Sequence, residues 1–145
     1  MILALDLGAR TGFALDTDPV TFGAIDLSGT RFSGGGFRFV QFRRWLDETW
    51  MQYAFDEVAF EEVHRHAATA AAHAYGGYLA TLQCFCEEKG IPYHSYGVGA
   101  IKKHATGQGN AKKEAMVAAA KALGFAVTDD NAADAIHILR LAKTR

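Results

Sequence analysis

The sequence predicts a mixed α/β domain, a single sheet with helices on both faces, and three observations carry that expectation. The chain opens on an almost wholly apolar run, Ile2-Leu-Ala-Leu-Asp6, closed by a glycine turn, which is the pattern of a strand covered on both sides. Two more short strand-like runs follow with only turns between them, so the first three strands form an antiparallel meander. From there to the C-terminus, strand patterns alternate with helix patterns, the order expected when parallel strands are joined by helices.

Each element has its own local reason. Gly8 and Gly12 bracket Ala-Arg-Thr, so Phe13-Ala-Leu15 can return as the second strand. Asp16-Thr-Asp-Pro19 is a turn, and residues 20–27 make the third strand. Ser33-Gly-Gly-Gly36 reads as a flexible joint. Phe39, Phe42, Leu46 and Tyr53 then recur at helical spacing, with Arg38, Arg43, Arg44, Asp47 and Glu48 among them, an amphipathic helix that covers the sheet. Trp45, Trp50 and Met51 are expected in the core or at its rim. Residues 56–63 form a fourth strand, again apolar until acids appear at its end.

An Ala-rich helix is predicted over 67–88, its Gly76-Gly77 pair allowing another element to approach closely, with Gly90 as its stop. Residues 91–96 are a fifth strand and 98–105 a helical turn. A glycine loop, Thr106-Gly-Gln-Gly-Asn110, precedes a helix over 111–123 for which Asn110 is the expected N-cap and Gly124 the terminator. Thr128-Asp-Asp-Asn131 starts the last helix, with acids at the positive end of its dipole.

Composition excludes several classes. The 145 residues suit one domain, 1–145, with no internal repeat or linker. With half the residues apolar and a fifth charged, the chain is globular and not disordered. A net charge of −1 means that any nucleic-acid binding must come from clustered basic residues, not from excess positive charge. Cys84 and Cys86, two apart on a helix, point to opposite sides and cannot bond to each other; no Cys/His set has zinc spacing. The absence of a leader pattern or a membrane-length apolar run leads to the expectation of a cytoplasmic protein with no membrane partner.

The acids carry the chemistry. Asp6 ends a buried strand, and one of Glu61 or Glu62 ends another; Asp134 sits among alanines in the last helix, one turn beyond Asp130. Asp6 can be read as a turn acceptor, and Asp129 and Asp130 as helix caps, but neither reading covers Asp134. Three acids from three buried elements repel one another unless a divalent cation lies between them, and oxygen-only ligation favours Mg²⁺ or Mn²⁺ over zinc.

Four strings in order narrow this further: Ile2-Leu-Ala-Leu-Asp6-Leu-Gly8; Ala59-Phe-Glu61-Glu-Val63; Ile101-Lys102 through Gly107, Gly109, Ala111 and Lys113; and Asn131-Ala-Ala-Asp134-Ala-Ile136. Across nearly the whole chain they resemble the RuvC-type Holliday-junction resolvases of the ribonuclease-H-like superfamily, and look closest to the bacteriophage-encoded branch. The resemblance implies a five-stranded mixed sheet and a metal-dependent endonuclease that resolves four-way DNA junctions. It implies two Mg²⁺ ions, with Mn²⁺ as a substitute, and a homodimer in a bacterial or phage-infected cytoplasm. It also implies that Asp6, Glu61 and Asp134 are metal ligands, choosing Glu61 over Glu62, and that Lys102 and Lys113 lie near the DNA backbone and scissile phosphate. Where the family has Asp or His three residues before the last Asp, this chain has Asn131 preceded by Asp130. Asp130 is expected as the fourth acid, with the Asn131 carbonyl as a second source of that ligand. His64 stands where the family often has an aromatic that stacks on bases.

Lys102, Lys103, His104, Lys112 and Lys113 bracket the glycine loop, a phosphate-binding arrangement that Arg10, Arg38, Arg43 and Arg44 are expected to extend. No role falls to His73, His94 or His137. The helix with Gly76-Gly77 is the expected dimer surface. The rival readings are a related nuclease acting on RNA or RNA/DNA hybrids, a sugar-kinase or actin-like ATPase, and a non-catalytic junction-binding module. The ATPase fold needs two such domains and this chain has one.

Overall fold

The structure, a computed structural model, describes residues 1–29 and 34–145. Ser33, part of the expected joint, lies outside the described residues. Strands β1 (Ile2–Asp6), β2 (Arg10–Leu15) and β3 (Thr21–Asp26) are followed by α1 (Phe37–Tyr53), β4 (Glu57–Glu62) and α2 (Thr69–Lys89). Then come β5 (Tyr93–Gly97), α3 (Val98–Thr106), α4 (Lys113–Ala122) and α5 (Asp130–Ala142). The sheet order is β3-β2-β1-β4-β5, antiparallel through the meander and parallel from β1 to β4 to β5. The expected five-stranded mixed sheet is observed.

Strand alternation sorts the two cores by size. Leu3, Leu5, Val58 and Phe60 face one side, where they meet Phe42 and Leu46 of α1 and Tyr78, Leu82 and Phe85 of α2. Ala4, Ala14 and Ala59 face the other, and their small side chains let the Ala-rich α5 lie close against the sheet with Ile101 and Met116 beside it. The continuous apolar character of β1 is thus two interleaved patterns, bulky towards one helix layer and small towards the other.

Several expectations are corrected. Asn110 does not cap α4: the cap position is Lys112, with no side-chain bond, because buried Ala111 turns the chain inward before the helix starts. β5 begins at Tyr93, since Pro92 has no N–H and contributes only its carbonyl, which accepts the Val58 N–H at 3.0 Å. Met51 is neither core nor rim, being 81% exposed, whereas Trp45 packs on Phe13 and Phe42. Of the glycine pair only Gly77 takes a close neighbour: a Cβ there would lie 2.2 Å from the Phe39 ring, while Gly76 faces open space. That approach joins α2 to α1 of the same chain and is not itself a dimer contact. Cys84 is exposed and Cys86 buried, as their spacing requires.

Candidate active site

The C-terminal ends of β1 and β4 lie side by side, with Leu5 opposite Phe60, so Asp6 and Glu61 both emerge at one edge of the sheet. Both share parity with Ala4 and Ala59 and therefore point towards α5. Glu61 is half-buried there, whereas Glu62 is exposed on the other side, reached by the Ser95 hydroxyl at 3.4 Å. Glu61, and not Glu62, thus shares the face of Asp6.

α5 completes the group. Asp129 caps it, its carboxylate accepting the N–H groups of Asn131 and Ala132 at 2.8 and 3.3 Å, so the capping role falls to Asp129 and leaves Asp130 and Asp134 for the site. The first turn of α5 reaches Asp6 because Gly12, the partner of Asp6 on β2, has no side chain: a Cβ there would lie 1.9 Å from the Asn131 carbonyl oxygen.

The electrostatics record the crowding. The Asp6 pKa is pushed well above the ordinary aspartate value, first by burial and then by the charges of Asp134, Glu61 and Asp130. The Asp134 carboxyl is pushed up to about 7 by burial, Glu61 and Asp130, against the pull of Lys102 and Lys113. Burial also raises Glu61, and Lys102 lowers it. Asp130 faces Lys113, Oδ2 to Nζ 3.3 Å. Glu61, Asp134, Lys102 and Lys113 line a cavity of about 220 Å³ whose apolar walls include Ile101 and Met116.

Among the described residues, no three acid, imidazole or thiol groups are already drawn around one point as a metal cage. The donor set nevertheless fits a hard divalent cation: all candidate donors are carboxylates, they come from three elements, and burial together with the neighbouring acids makes Asp6 and Asp134 resist ionisation. Asp130 is turned to a lysine, which accounts for one donor not yet facing the rest.

A stability consequence follows. The folded state holds the Asp134 proton more tightly than the unfolded chain does. Its contribution to stability is therefore fully present below about pH 4 and is lost as pH rises towards 7. Between pH 5 and pH 8 this loss amounts to about 3 kcal/mol, or roughly 6–10 °C in Tm for a domain of this size. Differential scanning calorimetry in chelator is expected to show that fall, and millimolar Mg²⁺ to reverse most of it at pH 8.

The other sequence-derived residues divide. Lys102 faces the acids, and Lys103, Lys112 and Lys113 are exposed around the Gly107 turn, where φ is +85°. His64 is exposed just past β4, 3.7 Å from Glu62. Arg10 does not join the lysine group as expected; its guanidinium is bound to Asp129. Arg43 is likewise engaged, by Asp47 and Glu88 across the α1/α2 layer, on the face away from the acids.

Two contacts had no local signal in the sequence. The buried His137 ring bonds the Met116 carbonyl at 2.8 Å and ties α5 to α4. The Tyr75 hydroxyl of α2 donates to the Glu61 carbonyl at 2.9 Å, and burial and the nearby acids raise its pKa further above the ordinary phenol value. A tyrosine or histidine on an amphipathic helix reads as core, and only the folded chain gives it a polar partner.

Comparison with solved structures places the fold. Thermus thermophilus RuvC in complex with a Holliday junction substrate superposes with a TM-score of 0.79 at 20% identity, covering 94% of this chain and 88% of that one. The yeast mitochondrial Holliday junction resolvase Ydc2 follows at 0.62 and 13%, with 94% and 75% covered. The fowlpox virus resolvase in complex with Holliday junction DNA stands at 0.58 and 11%, with both chains fully covered. At these identities the likeness establishes a shared fold. Sequence carries the rest: residues 16–141, which include Glu61, Lys102, Lys113 and Asp134 but not Asp6, match the model of the crossover junction endodeoxyribonuclease RuvC, and the chain belongs to the RuvC family.

Proposed function

We propose that this protein is a divalent-metal-dependent endonuclease that resolves four-way DNA junctions by hydrolysing one phosphodiester in each of two opposed strands. The observation that carries the reading is the convergence of Asp6, Glu61, Asp130 and Asp134 from β1, β4 and α5 at one sheet edge, with Lys102 and Lys113 beside them, in a member of the RuvC family.

Asp6, Glu61 and Asp134 would hold the metal, with Asp130 as the fourth carboxylate, and Mg²⁺, or Mn²⁺ in its place, suits these oxygen donors. When bound, a pair of such ions supplies an activated water and charge stabilisation at the leaving oxygen. The chain's own residues do the rest. Lys113 neutralises charge that builds on the phosphate, and in doing so exchanges Asp130 for the substrate. Lys102 offsets the negative charge of Glu61 and Asp134. Lys103 and Lys112 flank the loop and hold the backbone on either side of the cut, and His64, exposed beyond β4, offers an imidazole for stacking on a base. Arg10 is held at Nε by Asp129 with its side chain half exposed, which leaves its other guanidinium N–H groups to meet a phosphate.

A homodimer supplies the two cuts, and the outer face of α2, where Gly76 and Ala80 are exposed, is where we place the second copy. No helix among the described residues is long and apolar enough to cross a membrane. A bacterial or phage-infected cytoplasm suits the proposed substrate.

The deciding experiment is an electrophoretic assay of a synthetic four-way junction beside duplex, flap and RNA/DNA hybrid substrates, with Mg²⁺, Mn²⁺ or Ca²⁺. Wild type is expected to make paired nicks in the junction with Mg²⁺ or Mn²⁺, and Asp134→Asn none. Lys113→Ala is expected to lose about 10²-fold in single-turnover rate while its junction affinity changes by less than about threefold. Preferential cutting of the hybrid would sink the junction assignment, and junction binding without cleavage in any metal would make the protein a binding module.

A further inference from the structure

β4 outruns its neighbour. The last β1 residue in register with it is Leu5, opposite Phe60, so from Glu61 onward β4 pairs, among the described residues, with β5 alone, through Glu61↔Tyr96 and Glu62↔Gly97. A strand end paired on one side alone frays readily, and Glu61 sits on that end. The Tyr75 hydroxyl closes the gap. It donates to the Glu61 carbonyl at 2.9 Å and accepts the Val63 N–H at 3.3 Å. A carbonyl and an N–H two residues apart on one edge are what a strand offers to a neighbouring strand, and a single phenolic oxygen satisfies both.

The phenol is itself fixed. Tyr75 stands one turn before Leu79, on the part of α2 that anchors in the core through Tyr78 and Leu82, and the His66 ring packs on it with centroids 5.2 Å apart. The brace therefore runs from the core of the α1/α2 layer, around the sheet edge, to the main chain of a residue whose carboxylate lies on the opposite face.

We propose that Tyr75 is a positioning residue for Glu61: its hydroxyl replaces the missing β1 neighbour and holds the end of β4 so that the Glu61 carboxylate meets Asp134 across the cavity. The inference rests on the reading of Glu61 as a metal ligand. Constellations of this kind lose function when a ligand shifts by about 1 Å, so a modest slackening of the strand end matters.

The test removes one oxygen atom. Tyr75→Phe is compared with wild type, Glu61→Gln and Tyr78→Phe, whose hydroxyl reaches the Leu27 carbonyl at 3.5 Å and does not touch β4. Calcium binding is followed by thermal shift without DNA, and single-turnover junction cleavage is followed as a function of Mg²⁺. For Tyr75→Phe the half-saturating metal concentration is expected to rise about tenfold and the rate to fall about 10- to 100-fold. Junction affinity should stay within about threefold, with part of the rate recovered at high Mg²⁺. Tyr78→Phe is expected to change neither metal binding nor rate.

A wild-type metal response in Tyr75→Phe beside an inactive Glu61→Gln overturns the brace alone. A wild-type response in Glu61→Gln overturns the ligand reading and the brace with it. Equal losses in the two tyrosine variants also overturn the brace, as they would mark a general packing effect. If Tyr75→Phe fails to fold, hydrogen exchange of the wild type decides: the Val63 amide should exchange as slowly as that of Val58 inside β4, and exchange at the rate of an unprotected loop amide overturns the proposal.

Discussion

Asp6→Asn is expected to leave no measurable junction cleavage, a loss of at least about 10³-fold, while junction binding in Ca²⁺ stays within about threefold of wild type. In the absence of metal, the same substitution should make the protein more stable. Both effects have one cause. Asp6 is half-buried at the end of β1, where desolvation and then the charges of Asp134, Glu61 and Asp130 oppose its ionisation. An amide of the same shape removes that repulsion and at the same time removes a charged oxygen donor. Mg²⁺ should therefore raise the Tm of wild type at pH 8 and raise that of Asp6→Asn much less. Gel cleavage, electrophoretic mobility shift and thermal denaturation in chelator measure the three quantities, and Mg²⁺-dependent nicking by Asp6→Asn would remove this residue from the site.

The largest loss of stability is expected at Gly12→Ala, at least about 3 kcal/mol, or roughly 6–12 °C in Tm. The added Cβ would lie 1.9 Å from the Asn131 oxygen, 2.3 Å from its carbonyl carbon and 3.0 Å from the Ala132 nitrogen. All three are backbone atoms in the first turn of α5, so no side-chain rotation relieves the overlap and the helix must move. That helix carries Asp130 and Asp134, so the variant should also bind metal more weakly than its remaining folded fraction accounts for. Gly8→Ala, in the turn that leads into β2, is the control: among the described residues its Cβ would meet nothing within 4 Å, and its Tm should match wild type within about 2 °C. Thermal denaturation of the two side by side separates helix contact from turn flexibility. A Gly12→Ala protein as stable as wild type would show that α5 does not rest on β2 in the way described.

Those two glycines illustrate the limit of what was legible. From the sequence both are turn residues, and their spacing correctly announces the β1/β2 hairpin. Nothing local distinguishes the one that a helix 119 residues later will press against. Asn110 shows the same limit in reverse: a good capping residue beside a helix pattern does not cap when the next residue, Ala111, is drawn into the core. Arg10 is a further case, a basic residue near the site that a sequence reading gives to DNA and the fold gives to Asp129.

The sequence by itself determined the order of strands and helices, the placement of acids at the ends of β1 and β4 and in the first turns of α5, and through its motifs the family. These depend on patterning within about a dozen residues, where apolar periodicity and an abrupt acid are visible without coordinates. Tertiary structure alone decided which basic residues remain available, why Gly12 must have no side chain, and how the unsupported end of β4 is held by Tyr75. Each of those is a contact between residues remote along the chain, set by backbone approach and by the pairing of buried polar groups, and such contacts leave no periodic trace in the sequence.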